Sequence, residues 1–485
     1  MGGGIALTSI LAFGYMSLAL IIAAFFRSQF KFLQTLFIPS SIIAGLLLLL
    51  LGPGIIGVIN LPVGAYAENM VFHMLAIIFI ILGLRGFKKS DRGGVAAGTI
   101  MITKVMAFQF FIGIIFTIIV VLLINPQFFS GFSSLLMLGS GFDSVLARYF
   151  GGFWQEELSF QSGTFIAYSF AVLGIIFAYV LGIVMVNIAR MRGQLPAFPA
   201  DDNVSVLTGI VPEKEDKKEA GKLTTDGQSI ETFTLHLAVV GGVLLLTYGL
   251  MRVVAQWLIT AFDPGVVIVG EVFMHFNYLL GFLFALGVRK LMDFFVIDHV
   301  LDEKVLNRIL GVVVDFMVVA AIVSIPLIIS TVNIWAILIL ATVGAVLTML
   351  AVMWLSRAVF KNESVERDVA LFGFLSGNIS SSIALLRIVD PELKHPAVRE
   401  ITFASFLSFL AAIPLLFLIN LPLIGEEVIY LLYSLGLAAA YIVILFLVWI
   451  FFFRRWYLQP PAPTPKGGAD RGRALQGSRQ VGVEK

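Results

Sequence analysis

Residues 371–391 read LFGFLSGNISSSIALLRIVDP. The stretch carries two glycines, four serines, an asparagine, an arginine and an aspartate, and it lies among runs that look membrane-spanning. A segment this polar cannot face hydrocarbon, where free backbone groups cost several kcal/mol each, so it must be buried in protein or line water. Two readings fit the residues. One is a re-entrant hairpin, with glycine at the turn and serine and asparagine supplying short polar groups. The other is close helix packing through small side chains.

The rest of the chain sets the context. Of 485 residues, 59% are hydrophobic and only 13% charged, and mean hydropathy is +1.00. Soluble domains carry roughly 25% charged residues. Repeated apolar stretches of about 20 residues indicate an all-α polytopic membrane protein, and the short alternating segments of a membrane β-barrel do not occur. A net charge of +2 implies no bulk affinity for nucleic acid. Cysteine is absent, which excludes disulfides, a thiolate nucleophile and cysteine-ligated metal. The five histidines fall in no metal-binding spacing. No cofactor is expected. Residues 1–26 lack a basic start and a small-residue cleavage site, so they read as a first spanning helix.

The apolar runs predict about eleven spans, at 5–26, 35–51, 69–84, 95–124, 163–189, 232–259, 266–288, 306–329, 332–356, 397–421 and 428–453. Basic residues alternate with them. Arg27 and Lys31, Arg85 to Arg92, Arg190 and Arg192, Arg289 to Lys304, Arg357 to Arg367, and Arg454 and Arg455 fall on one side. Glu68, Glu156, Glu157, Asp263, Glu426 and Glu427 fall on the other, with Arg148 as almost its only cation. The positive-inside rule then puts the N-terminus outside and the C-terminus in the cytoplasm. Residues 191–231 read as a cytoplasmic linker and 457–485 as a disordered tail, both by composition.

The linker divides the chain into an N-terminal part, 1–190, and a C-terminal part, 232–421, followed by an extra helix within 422–456. Each part has five spans and one anomalous segment before its fifth. In the first it is FSSLLMLGSGFDSVLARYFGG, 132–152; in the second it is the opening stretch, taken as a loop near 368–388. An odd number of spans inverts the second part relative to the first, the layout of inverted-repeat transporters. Two re-entrant loops from opposite sides would meet near the midplane. Their amides would suit an anion and their carbonyls a small cation.

Ionisable residues inside spans usually mark ion or substrate paths. Asp315, in LGVVVDFMVVAAI, fits a sodium ligand or a proton carrier, or else a structural ion pair. His73 fits a structural or a functional role equally, and Glu271, His275 and Asn277 form a weaker cluster. Arg148 and Arg387 each offer a bidentate fork for a carboxylate; Arg387 also fits a cap of the hairpin paired with Asp390.

On these residues the chain resembles the bacterial sodium/glutamate symporters. FIPSSIIAGLLLLLLG, 37–52, and MLAIIFIILGLRG, 74–86, are similar to their second and third helices. GSGFDSVLA, 139–147, and GFLSGNISSSIALL, 373–386, fall where the family carries its two Gly-rich loops. Phe142 stands at a family histidine, Leu375 at a glycine and Ser380 at a proline. The resemblance spans about residues 5–421. It implies two inverted five-helix halves, each with a re-entrant hairpin, a homodimer, and one domain moving against another.

The expected function is secondary transport across the bacterial inner membrane, with sodium or protons driving uptake of glutamate or a related small carboxylate. Gly141, Ser144, Gly377, Asn378, Ser380, Ser381 and Arg387 are the expected substrate contacts. Asp315, Ser376 and Asp143 are the expected ion contacts, with sodium at Asp315. Expected partners are the anionic substrate, sodium, the lipid bilayer and a second copy of the chain. The chain is not expected to be an enzyme. The alternatives are a membrane-embedded glycosyl- or acyltransferase acting on lipid-linked substrates, a proton-coupled carrier of another organic anion, and a channel. Short outer loops disfavour the first, and two unlike halves disfavour the last.

Overall fold

In the computed structural model the described residues are 2–36, 38–59, 63–85, 92–123, 144–156, 163–195, 219–261, 276–324, 334–360, 364–424 and 428–453, with residues 208 and 274. Among them all regular structure is helical. The main helices are α1 (Gly2–Gln29), α2 (Ser40–Leu51), α3 (Val63–Arg85), α4 (Arg92–Leu123), α5 (Ser144–Glu156), α6 (Gly163–Met191), α7 (Thr232–Ala261) and α8 (Asn277–Phe294). They continue with α9 (Glu303–Val323), α10 (Ile334–Val359), α11 (Val365–Ser376), α12 (Ile379–Val389), α13 (Ala397–Ala411), α14 (Ile413–Leu418) and α15 (Val428–Val448). Seven of them, α1, α4, α6, α7, α9, α10 and α15, are long and apolar enough to cross a membrane. The protein is a multi-pass helical membrane protein. It divides into two compact units, Met1–Ile442 and Val443–Lys485; the described residues of the second end α15 and add a π-helical turn, Trp449–Phe453.

Three expected spans take a different form. The second is only the 12 residues of α2, about 18 Å at the usual rise, because Pro39 fixes its start in an extended conformation. The seventh runs Asn277–Phe294 rather than 266–288; residues 266–273 lie outside the described residues, and the helix continues past the basic pair Arg289–Lys290, where Arg289 pairs with Asp293 at 3.1 Å. The tenth breaks into α13 and α14 at Ala412, where Pro414, lacking an N–H, cannot continue the ladder of α13.

The helices of the first unit pack as two sets. One contains α1, α2, α3, α7, α8 and α9, and the other α4, α5, α6, α10, α11, α12 and α13. The main crossings between them are α9 on α12 and α8 on α13. Small residues allow the closest pairs. A side chain at Gly83 would strike the backbone of α8, at 2.8 Å from the Phe282 carbonyl, and one at Gly45 would strike Ile322 of α9, at 2.8 Å. Exposure also differs: 67% of the α6 window is buried but only 22% of α1 and of α7, so α6 is central while α1 and α7 turn apolar faces outward.

The opening stretch of sequence is a helical hairpin. Ser364 caps α11 by accepting from the Arg367 N–H at 3.3 Å, and Asn378 caps α12 by accepting from the Ser381 N–H at 2.9 Å. Only Gly377 and Asn378 separate the two helices. They run antiparallel and in contact: the Ser382 hydroxyl donates to the Ala370 carbonyl at 2.7 Å, and a side chain at Gly373 would lie 2.8 Å from the Ser382 Cα. At 12 and 11 residues each arm is about 17 Å long, roughly half of a 30 Å hydrocarbon core.

The turn after α12 holds the hairpin's exit. Asp390 accepts from the His395 N–H at 2.7 Å, and the His395 Nδ1 accepts from the Ala397 N–H at 3.1 Å, which requires that nitrogen to be unprotonated. Burial pushes the His395 imidazole below the ordinary histidine value, with Glu366, Glu400 and Asp390 opposing and Arg367 reinforcing the shift. The folded protein therefore binds this proton less readily than the unfolded chain. Stability is full above about pH 6.5 and falls as pH drops from there toward the lowered value. Thermal melts at pH 7.5 and 5.5 should show this loss, and His395→Asn, which retains an acceptor but cannot titrate, should reduce it. An unchanged pH difference in the variant would remove His395 from the effect.

Candidate functional site

The site is a cavity of about 720 Å³ on the seam between the two helix sets. On one side lie Arg27 near the end of α1, Ser40 and Ser41 at the start of α2, and Asp315 of α9. On the other lie Arg190 at the end of α6 and Arg387 near the end of α12. Asp302 caps α9 through the Val305 N–H at 3.0 Å, and Asp315 follows about 20 Å further along the helix. The cavity thus reaches from helix ends to mid-helix depth.

Arg387 spans the seam. Its Nη1 donates to Asp315 Oδ1 at 2.6 Å and its Nη2 to Oδ2 at 3.2 Å. Gly311, one turn earlier on α9, lies beside the guanidinium: a Cβ there would be in van der Waals contact with Nη2 at 3.4 Å. Both partners keep part of their surface open, 24% and 44% of the side chains. Among the described lining residues, three arginines stand against one aspartate, a formal charge of +2. Such a lining, with serine hydroxyls beside it, suits a small anion, and arginine forks match carboxylates bidentately.

The other expected residues fall elsewhere. Gly377, Ser380 and Ser381 are buried in the hairpin against α6. Asn378 spends its Oδ1 on the cap, accepting from both the Ser381 N–H and, at 3.1 Å, the Ser381 hydroxyl. Arg387 pairs with Asp315 and not with Asp390, whose carboxylate holds the His395 amide. Gly141 and Asp143 lie outside the described residues; Ser144 opens α5, but its side chain and that of Arg148 lie outside them too. Glu271 and His275 also fall outside. Asn277 donates to the Phe72 carbonyl at 3.0 Å and to the Tyr248 hydroxyl at 3.2 Å, and Tyr248 meets His73 Nδ1 at 2.8 Å, a polar stitch joining α3, α7 and α8.

A second polar group lies behind the hairpin tip. Gln109 of α4 is buried and donates through Nε2 to the Thr348 hydroxyl of α10 at 2.8 Å and to the Leu375 carbonyl of α11 at 3.3 Å. Its Oε1 and the hydroxyl of the adjacent buried Ser376 have no hydrogen-bond partner. Sequence reasoning passed over Gln109, although a lone glutamine in the apolar run MAFQFFIG was a usable signal. Arg27 and Arg190 it counted only as markers of sidedness.

No protein-family model matches the chain, and no curated protein matches it.

Proposed function

We propose that this protein is a secondary transporter that moves glutamate or a related small carboxylate across the membrane by alternating access, coupled to sodium. The observation that carries the reading is the arginine-lined cavity on the seam. Its volume lies in the range of small-molecule sites, roughly 300–1,000 Å³. A seam between two packed sets is also where one body shifts against another with little repacking.

The pairing of helices supports the inverted-repeat reading with eleven spans. Exchanging α1, α2, α3, α4 and α6 for α7, α8, α9, α10 and α13 maps observed neighbours onto observed neighbours. The pair α1–α2 becomes α7–α8, α3–α8 becomes α9–α2, and α4–α13 becomes α10–α6. The two sets then take the first three spans of each half, and the last two with the hairpin. By the positive-inside rule the cavity, ringed by Arg27, Arg190 and Arg387, would face the cytoplasm, with the N-terminus outside, the C-terminus inside, and the bacterial inner membrane as location. The outward apolar faces of α1 and α7 would take lipid or a second copy of the chain.

Uptake of labelled glutamate into proteoliposomes tests the reading. Accumulation under an inward sodium gradient is expected, abolished when the gradient is collapsed. Absence of flux with glutamate and with related dicarboxylates would sink it.

A further inference from the structure

We propose that the seam cavity selects small dicarboxylates that carry no ammonium group, and that Arg27 and Arg190, on opposite sides of the seam, set that choice. The proposal rests on the anion cavity of the transporter reading and narrows the class of substrate it takes; it does not depend on the coupling ion.

The first observation is the balance of charge. Among the described lining residues Arg27, Arg190 and Arg387 stand against Asp315 alone. Asp315 already accepts from Arg387 through both carboxylate oxygens, at 2.6 and 3.2 Å. That pair is neutral as a unit, so Arg27 and Arg190 supply the net charge of the lining. Two positive charges match a dianion. Glutamate carries two carboxylates and one ammonium, a net charge of −1, and leaves one of them unmatched.

The second observation is the kind of polar group that would meet an ammonium. The other polar side chains of the described lining are the hydroxyls of Ser40 and Ser41, in the first turn of α2. Pro39 opens that helix without a side-chain hydrogen bond, and the first N–H groups of a helix have no intrahelical acceptor. The start of α2 therefore brings donors and the positive end of a helix dipole to the cavity wall, which favours a carboxylate and disfavours a cation. The last turn of α12 reaches the lining through Ile388 and Val389, but the same turn carries the Arg387 guanidinium. A second cation beside those carbonyls would meet a fixed like charge. An ammonium enclosed here gives up water without gaining a carboxylate of its own.

The third observation is where the two arginines sit. Arg27 lies near the end of α1, in one helix set, and Arg190 near the end of α6, in the other. Each guanidinium offers a fork to one carboxylate. A dicarboxylate whose ends meet both would bridge the seam, whereas a monocarboxylate would reach one side only.

The test is calorimetric titration of the detergent-purified full chain with glutarate and with glutamate at pH 7.5. The two ligands share their carbon chain and both carboxylates and differ by one ammonium group. Glutarate is expected to bind tighter by about tenfold or more, the scale of one buried polar group left unpaired. Arg27→Gln and Arg190→Gln are each expected to weaken glutarate more than glutamate, because for glutamate the lost contact is offset by relief of repulsion on its ammonium. The preference should shrink in both. Glutamate binding as tightly as glutarate, or tighter, overturns the selection and leaves the anion cavity standing. A full preference in the variants overturns the role of the two arginines; if one variant does not fold, the other decides, and the comparison of ligands on the unaltered protein needs neither. Binding of neither ligand overturns the anion cavity itself, and the selection with it.

Discussion

Arg367→Met is expected to destabilise the folded protein by about 3–5 kcal/mol, the usual cost of stranding one partner of a buried ion pair. Arg367 Nε donates to Glu400 Oε2 at 2.6 Å and its Nη2 to Oε1 at 2.9 Å. Only 14% and 4% of the two side chains are exposed. The pair joins the start of α11 to α13, and the guanidinium also lies over the Phe360 ring at 5.2 Å. Glu400 packs directly on Gly94 of α4, where a Cβ would collide with its carboxylate. With Arg367 gone, the carboxylate stays enclosed and unneutralised. The double replacement Arg367→Met with Glu400→Met removes both charges and should recover most of the loss, because two well-packed apolar chains can substitute for a buried pair. Thermal unfolding of the three proteins in one detergent measures this. A double variant no more stable than Arg367→Met would show that the packing, and not the stranded charge, sets the cost.

Much of the helix plan was legible because the signals are local. Runs of about 20 apolar residues announce spans, and Gly377–Asn378, a helix breaker followed by a capping residue, marks the hairpin turn. What Asn378 does was harder to read. A short polar side chain at a presumed site looks like a ligand contact, yet three residues before the buried Ser381 it serves as a cap. Asp315 showed as a charge at bilayer depth, but its partner lies 72 residues away, and no spacing encodes that pairing. Arg27 and Arg190 end apolar runs as basic flanks do, so only the meeting of α1, α2, α6, α9 and α12 brings them round one cavity. Glu400 was hidden similarly: a glutamate near the start of an apolar run reads as an interfacial residue until Arg367 is placed against it.

Arg387→Ala is expected to weaken binding of a carboxylate by about 10–100-fold, which corresponds to the roughly 1.5–3 kcal/mol carried by a hydrogen bond to a charged group. Two effects act in the same direction. The fork that would meet the anion is lost, and Asp315 loses its neutralising partner, so the lining charge falls from +2 to +1 with the remaining carboxylate exposed to the cavity. Arg387→Lys keeps the charge but not the planar fork, and should fall between the two proteins. Asp315→Asn acts oppositely. It raises the lining charge to +3 and releases Arg387 from its bidentate partner, so equilibrium binding of the anion should be retained or strengthened. The pair is also a polar tie between α9 and α12, so its loss alters how the two sets hold together. Calorimetric titration of glutamate into the four proteins measures this binding directly. The order expected is Asp315→Asn at or above the unaltered protein, then Arg387→Lys, then Arg387→Ala. If Asp315→Asn loses the anion as completely as Arg387→Ala does, the carboxylate is needed for anion recognition itself, and the pair has to be treated as one binding group rather than as an arginine held in place by an aspartate.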